Sequence, residues 1–310
     1  MGCVLRTCIW KDLDKDMIET TGFVDIQVNG HSGIDFLNAA NHEEIRKASR
    51  SLKNEGVAGY LASLITSDLD QLKRASQMIN EVAKEQGSDE AKILGLHFEG
   101  PCLSHERRGV HAPHLLRDPD SSLVKEFLAV PNLKMVTMAP ELPGAISAIS
   151  EFSKNEIVVS LGHTTAERAE AEAAFNAGAK TVTHLYNGMR KDGGLVDLVL
   201  EREDIIFQMI VDDVHVSREL MKKACDKALH RLIITTDAVA AAGLSSGKHR
   251  LGDMEIEIKN GRAVRTDGTL AGGIGKLSRS LEILEEMGYS REKTLPSVTS
   301  RPLQLINAKL

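Results

Sequence analysis

The 310-residue chain has no apolar run close to the roughly 20 residues that a membrane helix requires, and its opening, MGCVLRTCIWKDLDKD, lacks the basic stretch, long greasy segment and cleavage site of a secretion leader. These absences lead us to expect a cytoplasmic protein with no membrane partner. Cysteine is scarce: Cys3, Cys8, Cys102 and Cys225 form neither a CxxC pair nor a regular spacing, so a disulfide framework and a structural zinc knuckle have no basis. Charge of one sign is missing as well, since 38 basic against 44 acidic residues leave a net −6 with both signs interspersed. That balance excludes the electrostatic footprint of a nucleic-acid binder, and any anionic substrate must be held by a local cluster. There is no internal repeat, low-complexity linker or long block of like charge. With 42% hydrophobic and 26% charged residues, disorder and collagen are also excluded. The compositional feature that invites a functional question is the presence of eleven histidines.

Eight short runs rich in β-branched or aliphatic residues punctuate the chain, at 21–28, 57–64, 92–98, 133–139, 157–162, 180–185, 205–211 and 231–237. They read as buried strands. Between them lie segments of helical periodicity, among them 42–54, 69–85, 165–177 and 217–229, most opened by a Ser, Thr, Asp or Asn cap. Strand and helix therefore alternate, which predicts parallel βαβ units, and eight of them fit a (β/α)8 barrel better than a doubly wound open sheet. Residues 251–265 alternate apolar and polar around an Asn-Gly pair and predict a hairpin inserted before the last helix, 276–287. That helix and 292–300 are amphipathic and are expected to cover the closing seam. The economical division is a stub at 1–20 and one barrel domain over 21–310.

In such a barrel the active site is built where strands end. Five runs end in charged or histidine residues: His97-Phe98-Glu99, Gly162-His163, Thr183-His184, Asp212-Asp213-Val214-His215 and Thr235-Thr236-Asp237. Glu99, His163 and His184 supply one carboxylate and two neutral imidazoles, a set suited to Zn2+ or a similar borderline divalent ion with one position left for water. Asp237 is suited to orient and deprotonate that water. Taken singly, a histidine near a strand end is more often a hydrogen-bonded structural residue, and an Asp after a strand more often a helix cap. Their joint occurrence on four strands favours the functional reading. His31, His42, His105, His114, His230 and His249 are expected in solvated loops or on polar helix faces. His97 shares its direction with Glu99 because side chains alternate along a strand, which makes it a partner behind the site rather than a ligand. Residues 271–275 (AGGIG) read equally as a weak phosphate-loop pattern or a tight turn.

The strings GFVDIQVNGHSGIDF, LHFEGPCL with RRGVHAPH, SLGHTTA, THLYNGM, DDVHVS and TTDAVAAAG, at the first, third, fifth, sixth, seventh and eighth strands, resemble the N-acetylglucosamine-6-phosphate deacetylase family of the amidohydrolase superfamily. The resemblance runs from about Gly22 onward. It implies a metal-dependent barrel with a small β-sandwich lobe, assembled as a homodimer, that hydrolyses the acetamide of N-acetylglucosamine 6-phosphate. It further implies that Glu99, His163 and His184 bind the metal and that Asp237 is the catalytic acid and base. By the same resemblance His111 contacts the sugar and the acetamide carbonyl, His215 contacts the substrate, and Asn187 with Gly188 lines the sugar pocket. One divalent metal per chain is expected, Zn2+ first and Fe2+ or Co2+ as alternatives, because Gln27 and Asn29 stand where many amidohydrolases carry the His-x-His that holds a second ion.

The chain departs from the family pattern in places. Cys102 replaces a Phe after Glu-Gly-Pro. Asp213 adds a carboxylate that opposes an anionic substrate where it faces the pocket. The segment after Met189, which in the family supplies an arginine to the neighbouring subunit's phosphate site, is shortened, and Arg190 is the residue left for that role. The small lobe is expected to be reduced, with 1–20 as its remnant and its last strands absent after Leu310. Two rivals remain at this stage: another single-metal amidohydrolase, acting on a different amino sugar or as a deaminase, and a catalytically silent binding protein descended from the family.

Overall fold

The computed structural model describes residues 22–251, 254–259, 261–265, 268 and 270–310, so the expectation for 1–20 falls outside the described residues. Eight parallel strands follow one another in chain order around a barrel: β1 (Phe23–Val28), β2 (Val57–Ile65), β3 (Lys92–Glu99), β4 (Leu133–Met138), β5 (Val158–Leu161), β6 (Thr181–Val182), β7 (Ile206–Met209) and β8 (Leu232–Ile234). Each lies within or close to its expected run, because a strand covered on both faces must be aliphatic throughout. A helix follows every strand: α1 (His42–Asn54), α2 (Leu69–Lys84), α3 (Ser121–Leu128), α4 (Ala145–Lys154), α5 (Arg168–Asn176), α6 (Gly194–Glu201), α7 (Arg218–Ala228) and α8 (Leu277–Glu286). Several start as the sequence dictates: the side chains of Asn41, Asp120 and Ser217 accept from the backbone N–H of Glu44, Leu123 and Leu220. The fold is a (β/α)8 barrel.

The lumen is layered. Its floor is apolar, with Val24, Ile26, Leu61, Leu94, Met135, Val158, Ile206 and Ile233 packed on Leu303, Leu305 and Ile306 from the end of the chain. Residues 295–298, within the 292–300 stretch expected at the seam, lie against β1 and β8, and residues 303–306 plug the barrel from below. Two residues further along most of the strands, and three along β3, comes a buried polar layer. There His97 bonds Ser63 (2.9 Å) and Thr137 (2.7 Å), and Thr137 passes the chain on to Thr183 (2.7 Å). Two residues further again, Glu99 on β3 reaches the mouth, above the floor of the same lumen.

Pairing between β1 and β8 is reduced to a single bridge, Val28 beside Ala238. A buried carboxylate fastens the seam. Asp25 accepts hydrogen bonds from the hydroxyls of Thr235 (2.7 Å) and Thr236 and from the Gln27 amide (3.1 Å). Outside the seam, Lys276 reaches Glu55 at 3.1 Å and ties α8 to the end of α1. The expected hairpin is present as β10 (Met254–Lys259) antiparallel to β11 (Arg262–Arg265), with Asn260 of its turn outside the described residues. A further strand, β9 (Gly247–Leu251), extends it to three. Residues 247–251 (GKHRL) carry too little apolar alternation to be read as a strand in isolation. No helix among the described residues is long and apolar enough to cross a membrane.

Candidate active site

At the barrel mouth, residues just beyond the strands turn sharply inward. His163 after β5, His184 after β6 and Asp237 after β8 have φ of 48°, 30° and 50°, a left-handed conformation that L-residues adopt only where the surroundings hold them. The consequence is convergence. His163 Nε2 and His184 Nε2 lie 3.2 Å and 3.1 Å from the same oxygen, Oε1 of Glu99. His163 Nδ1 donates to the Arg107 carbonyl at 2.8 Å, so the neutral ring carries its lone pair on Nε2. A lone pair facing a carboxylate oxygen is repulsive unless a proton or a cation lies between them. One carboxylate and two imidazoles aimed at one point therefore fit a divalent ion of borderline softness.

His111 belongs to the same cluster. Its donor atom, with those of Glu99 and His163, lies within a 4.8 Å group, and its ring meets that of His163 edge-on at 4.7 Å. Its Nδ1 is held by the Thr66 hydroxyl at 2.8 Å, and burial pushes its pKa down to about 3, which keeps it neutral. Burial works against the charge of Glu99, yet the His163 and His184 rings beside it hold its carboxyl well below the usual range. Burial likewise opposes a charged His184, and Glu99 beside it outweighs that and raises its pKa. Asp237 is pushed up to about 6 by burial and by the Glu99 charge, against the pull of His184, His215 and the Asn29 hydrogen bond.

These groups line a cavity of about 240 Å³ together with Asn29, Asn187, Gly188, His215, Leu270, Ala271 and Gly272. A wider groove of about 890 Å³ opens beside the first residues of β3 and β4, lined by Lys73, Lys84, Lys92 and Lys134, and has none of the mouth histidines. The expected site residues Glu99, His111, His163, His184, Asn187, Gly188, His215 and Asp237 are thus brought together. Arg190 is not: its guanidinium pairs with Glu167 at 3.0 Å, both half-exposed. Asp213 turns from the cavity to Arg218 (2.6 Å) and opposes no ligand there.

One histidine expectation needs correction, that for His31, whereas His97 lies behind the site as expected. His31 is buried at 2% exposure, not solvated, because the chain after β1 folds back through Ser32 and Gly33 and closes His31 against Glu55 at 3.4 Å. His97 lies one layer beneath the site, bonded to Ser63 and Thr137, and burial holds it neutral with a pKa of about 4. His42, His105, His114 and His230 are exposed and His249 partly so, as expected. The glycine-rich stretch does more than turn the chain into the last helix. Gly273 passes so close to β8 that a Cβ there would stand 1.9 Å from the Thr236 carbonyl, and this contact places Ala271 and Gly272 on the cavity wall.

Reading the sequence alone misses the supporting groups. Asp212 accepts the His215 Nδ1–H at 2.7 Å, a pairing visible in principle from their i, i+3 spacing. Glu141 fixes the turn after His163 by accepting from the Thr165 amide at 2.7 Å and from the Thr164 hydroxyl, over 24 and 23 residues of chain that carry no signal of the contact.

No family model matches the chain. It is 33% identical over 310 residues to the N-acetylglucosamine-6-phosphate deacetylase of Danio rerio, an alignment covering 94% of this chain and 76% of the relative. Among solved structures, it is similar to the N-acetylglucosamine-6-phosphate deacetylase of Pasteurella multocida, with a TM-score of 0.86, 29% identity, and coverage of 93% of this chain and 76% of the other. It is equally similar to a mutant of the Mycobacterium smegmatis enzyme in complex with N-acetyl-D-glucosamine-6-phosphate, at TM-score 0.86, 30% identity, 93% of this chain and 77% of the other.

Proposed function

The chain belongs to the N-acetylglucosamine-6-phosphate deacetylase family, and from that premise we propose how its own residues carry out hydrolysis of the acetamide of N-acetylglucosamine 6-phosphate. The observation that carries the reading is the convergence of Glu99, His163 and His184 on one point beside Asp237. Glu99, His163 and His184 would hold one divalent ion, with zinc the best match to two imidazoles and a carboxylate and iron(II) or cobalt(II) the other candidates. When bound, the ion supplies Lewis acidity, which makes water a better nucleophile and the carbonyl a better electrophile at neutral pH.

The protein supplies position and protons. Asp237 accepts a proton from the attacking water as its oxygen bonds the acetamide carbon, then delivers that proton to the nitrogen as the C–N bond breaks. Acetate and glucosamine 6-phosphate result, with the proton inventory balanced. His111, neutral and tied through Nδ1 to Thr66, has its other nitrogen left to meet the acetamide carbonyl. Asn187, Gly188 and His215 line the part of the cavity left for the sugar. Asp212 fixes the His215 ring. The same reading makes the enzyme a cytoplasmic homodimer in which Arg190 of one protomer reaches the phosphate held by its partner. Purified protein with about one equivalent of divalent metal should release acetate from N-acetylglucosamine 6-phosphate. Two tightly held equivalents, or substrate binding without acetate release, would overturn it.

A further inference from the structure

Asn29 stands just past β1, nearly buried at 6% exposure, and is bound twice to the strand-end that carries Asp237. Its side-chain Nδ2 donates to Asp237 Oδ1 at 2.8 Å, and its backbone N–H donates to the Ala238 carbonyl at 2.7 Å. From the other side, the Gly273 N–H donates to the Asp237 carbonyl at 2.8 Å. The Asp237 backbone is therefore clamped in its left-handed conformation from two directions. Its carboxylate is a different matter, since the terminal torsion of an Asp side chain is broad and roughly two-fold. A hydrogen bond to one oxygen narrows that freedom.

We propose that Asn29 is a positioning residue for the hydrolysis: its amide N–H occupies Oδ1 of Asp237 and leaves Oδ2 as the oxygen that takes the proton from water and returns it to the departing amine. The inference rests on the reading of Asp237 as the base. A proton-transferring carboxylate must present one oxygen within hydrogen-bond reach of the reacting atoms. An amide suits the task because it brings no charge and no titrating proton at neutral pH, and is a poor ligand for a borderline cation, so it holds Asp237 without competing for proton or metal. Gln27 on the same strand offers the same chemistry, but it is fully buried outside the cavity lining and has no bond to Asp237.

The test uses the full chain with its metal and N-acetylglucosamine 6-phosphate. Asn29→Ala, and Asn29→Leu as a variant of similar volume without the N–H, should each lower kcat roughly tenfold or more while KM moves by less than about threefold. Metal content should stay at one equivalent. The discriminating measurement is a double-mutant cycle. In an Asp237→Asn background, Asn29→Ala should cause no further fall in kcat, because the group it orients has already lost its role. Calorimetry on that inactive background should give the same substrate Kd with Asn or Ala at position 29. Losses that multiply in the double variant, a loss confined to KM, or full activity in Asn29→Ala would overturn the proposal. Failure of the underlying reading looks different: the metal-loaded parent protein itself then releases no acetate.

Discussion

His184 and His111 both flank the His163 ring, with centroids 4.9 Å and 4.7 Å away, yet the proposed chemistry gives them different tasks. His184→Ala should strip most of the metal, since it leaves two protein ligands. His111→Ala should retain about one equivalent and lose turnover, as metal analysis and an acetate assay on each purified variant will show. Loss of metal from His111→Ala would move that residue into the ligand set. Asp237→Asn preserves shape but accepts no proton, so kcat should fall by roughly 100-fold or more with metal content unchanged. At the rim, Asp212 supports a pH prediction. Burial pushes its carboxyl upward, but the hydrogen bonds and charge of His215 and the two backbone N–H groups of Val214 and His215 hold it below its ordinary value. A carboxyl depressed in the folded state contributes stability that is present above its unfolded pKa of about 4 and is lost as pH falls through the folded value. Asp212→Asn should therefore cost roughly 1–3 kcal/mol at pH 7, and the gap should close below about pH 4 when urea midpoints are compared. A gap of constant size down to pH 3 would remove ionisation from the explanation.

The elements show which parts of the fold a sequence can announce. β2 and β3 were legible because a strand buried on both faces is forced into a run such as Val57–Ile65, and α1 because Asn41 caps a helix of period 3.6. The mouth residues were legible for a related reason: a His or an Asp directly after such a run has little structural purpose unless it faces something. The closure of the barrel was not legible. Asp25 lies 210 residues from Thr235, and nothing local marks a buried Asp as the clasp of a seam that lacks a continuous ladder. The burial of His31 is illegible for the same reason, since the 239–243 loop, with Gly243 packed against its ring, completes the cover that Glu55 begins. The clasp carries its own expectation. Asp25→Ala leaves the hydroxyls of Thr235 and Thr236 buried without their acceptor, so denaturant unfolding should show a loss of roughly 3 kcal/mol or more. A loss below about 1 kcal/mol would mean that the floor packing around Leu303 and Ile306 closes the barrel unaided.

Charge across the whole molecule decides how a phosphate can be held. The chain is net negative, and no Lys or Arg appears among the described residues that line the cavity, which holds Glu99 and Asp237. A phosphorylated sugar entering it needs a cation, and the cavity itself offers only imidazoles. Arg190 is at the surface, engaged with Glu167 in an exposed pair worth little on its own and readily exchanged for a stronger partner. In the two-fold dimer proposed above, that partner would be the phosphate in the neighbouring cavity, and assembly and affinity would then be linked. Diluting the dimer should raise the apparent KM for N-acetylglucosamine 6-phosphate, followed beside the oligomeric state by analytical ultracentrifugation. Arg190→Ala should weaken the phosphorylated sugar far more than plain N-acetylglucosamine, because a guanidinium–phosphate contact adds charge-assisted, bidentate bonds that the plain sugar cannot form. Equal losses for both sugars, or none, would return Arg190 to the role of a solvated loop residue. The phosphate would then fall to His215, whose ring Asp212 already holds at the rim, and His215→Ala would be the variant that separates the two sugars.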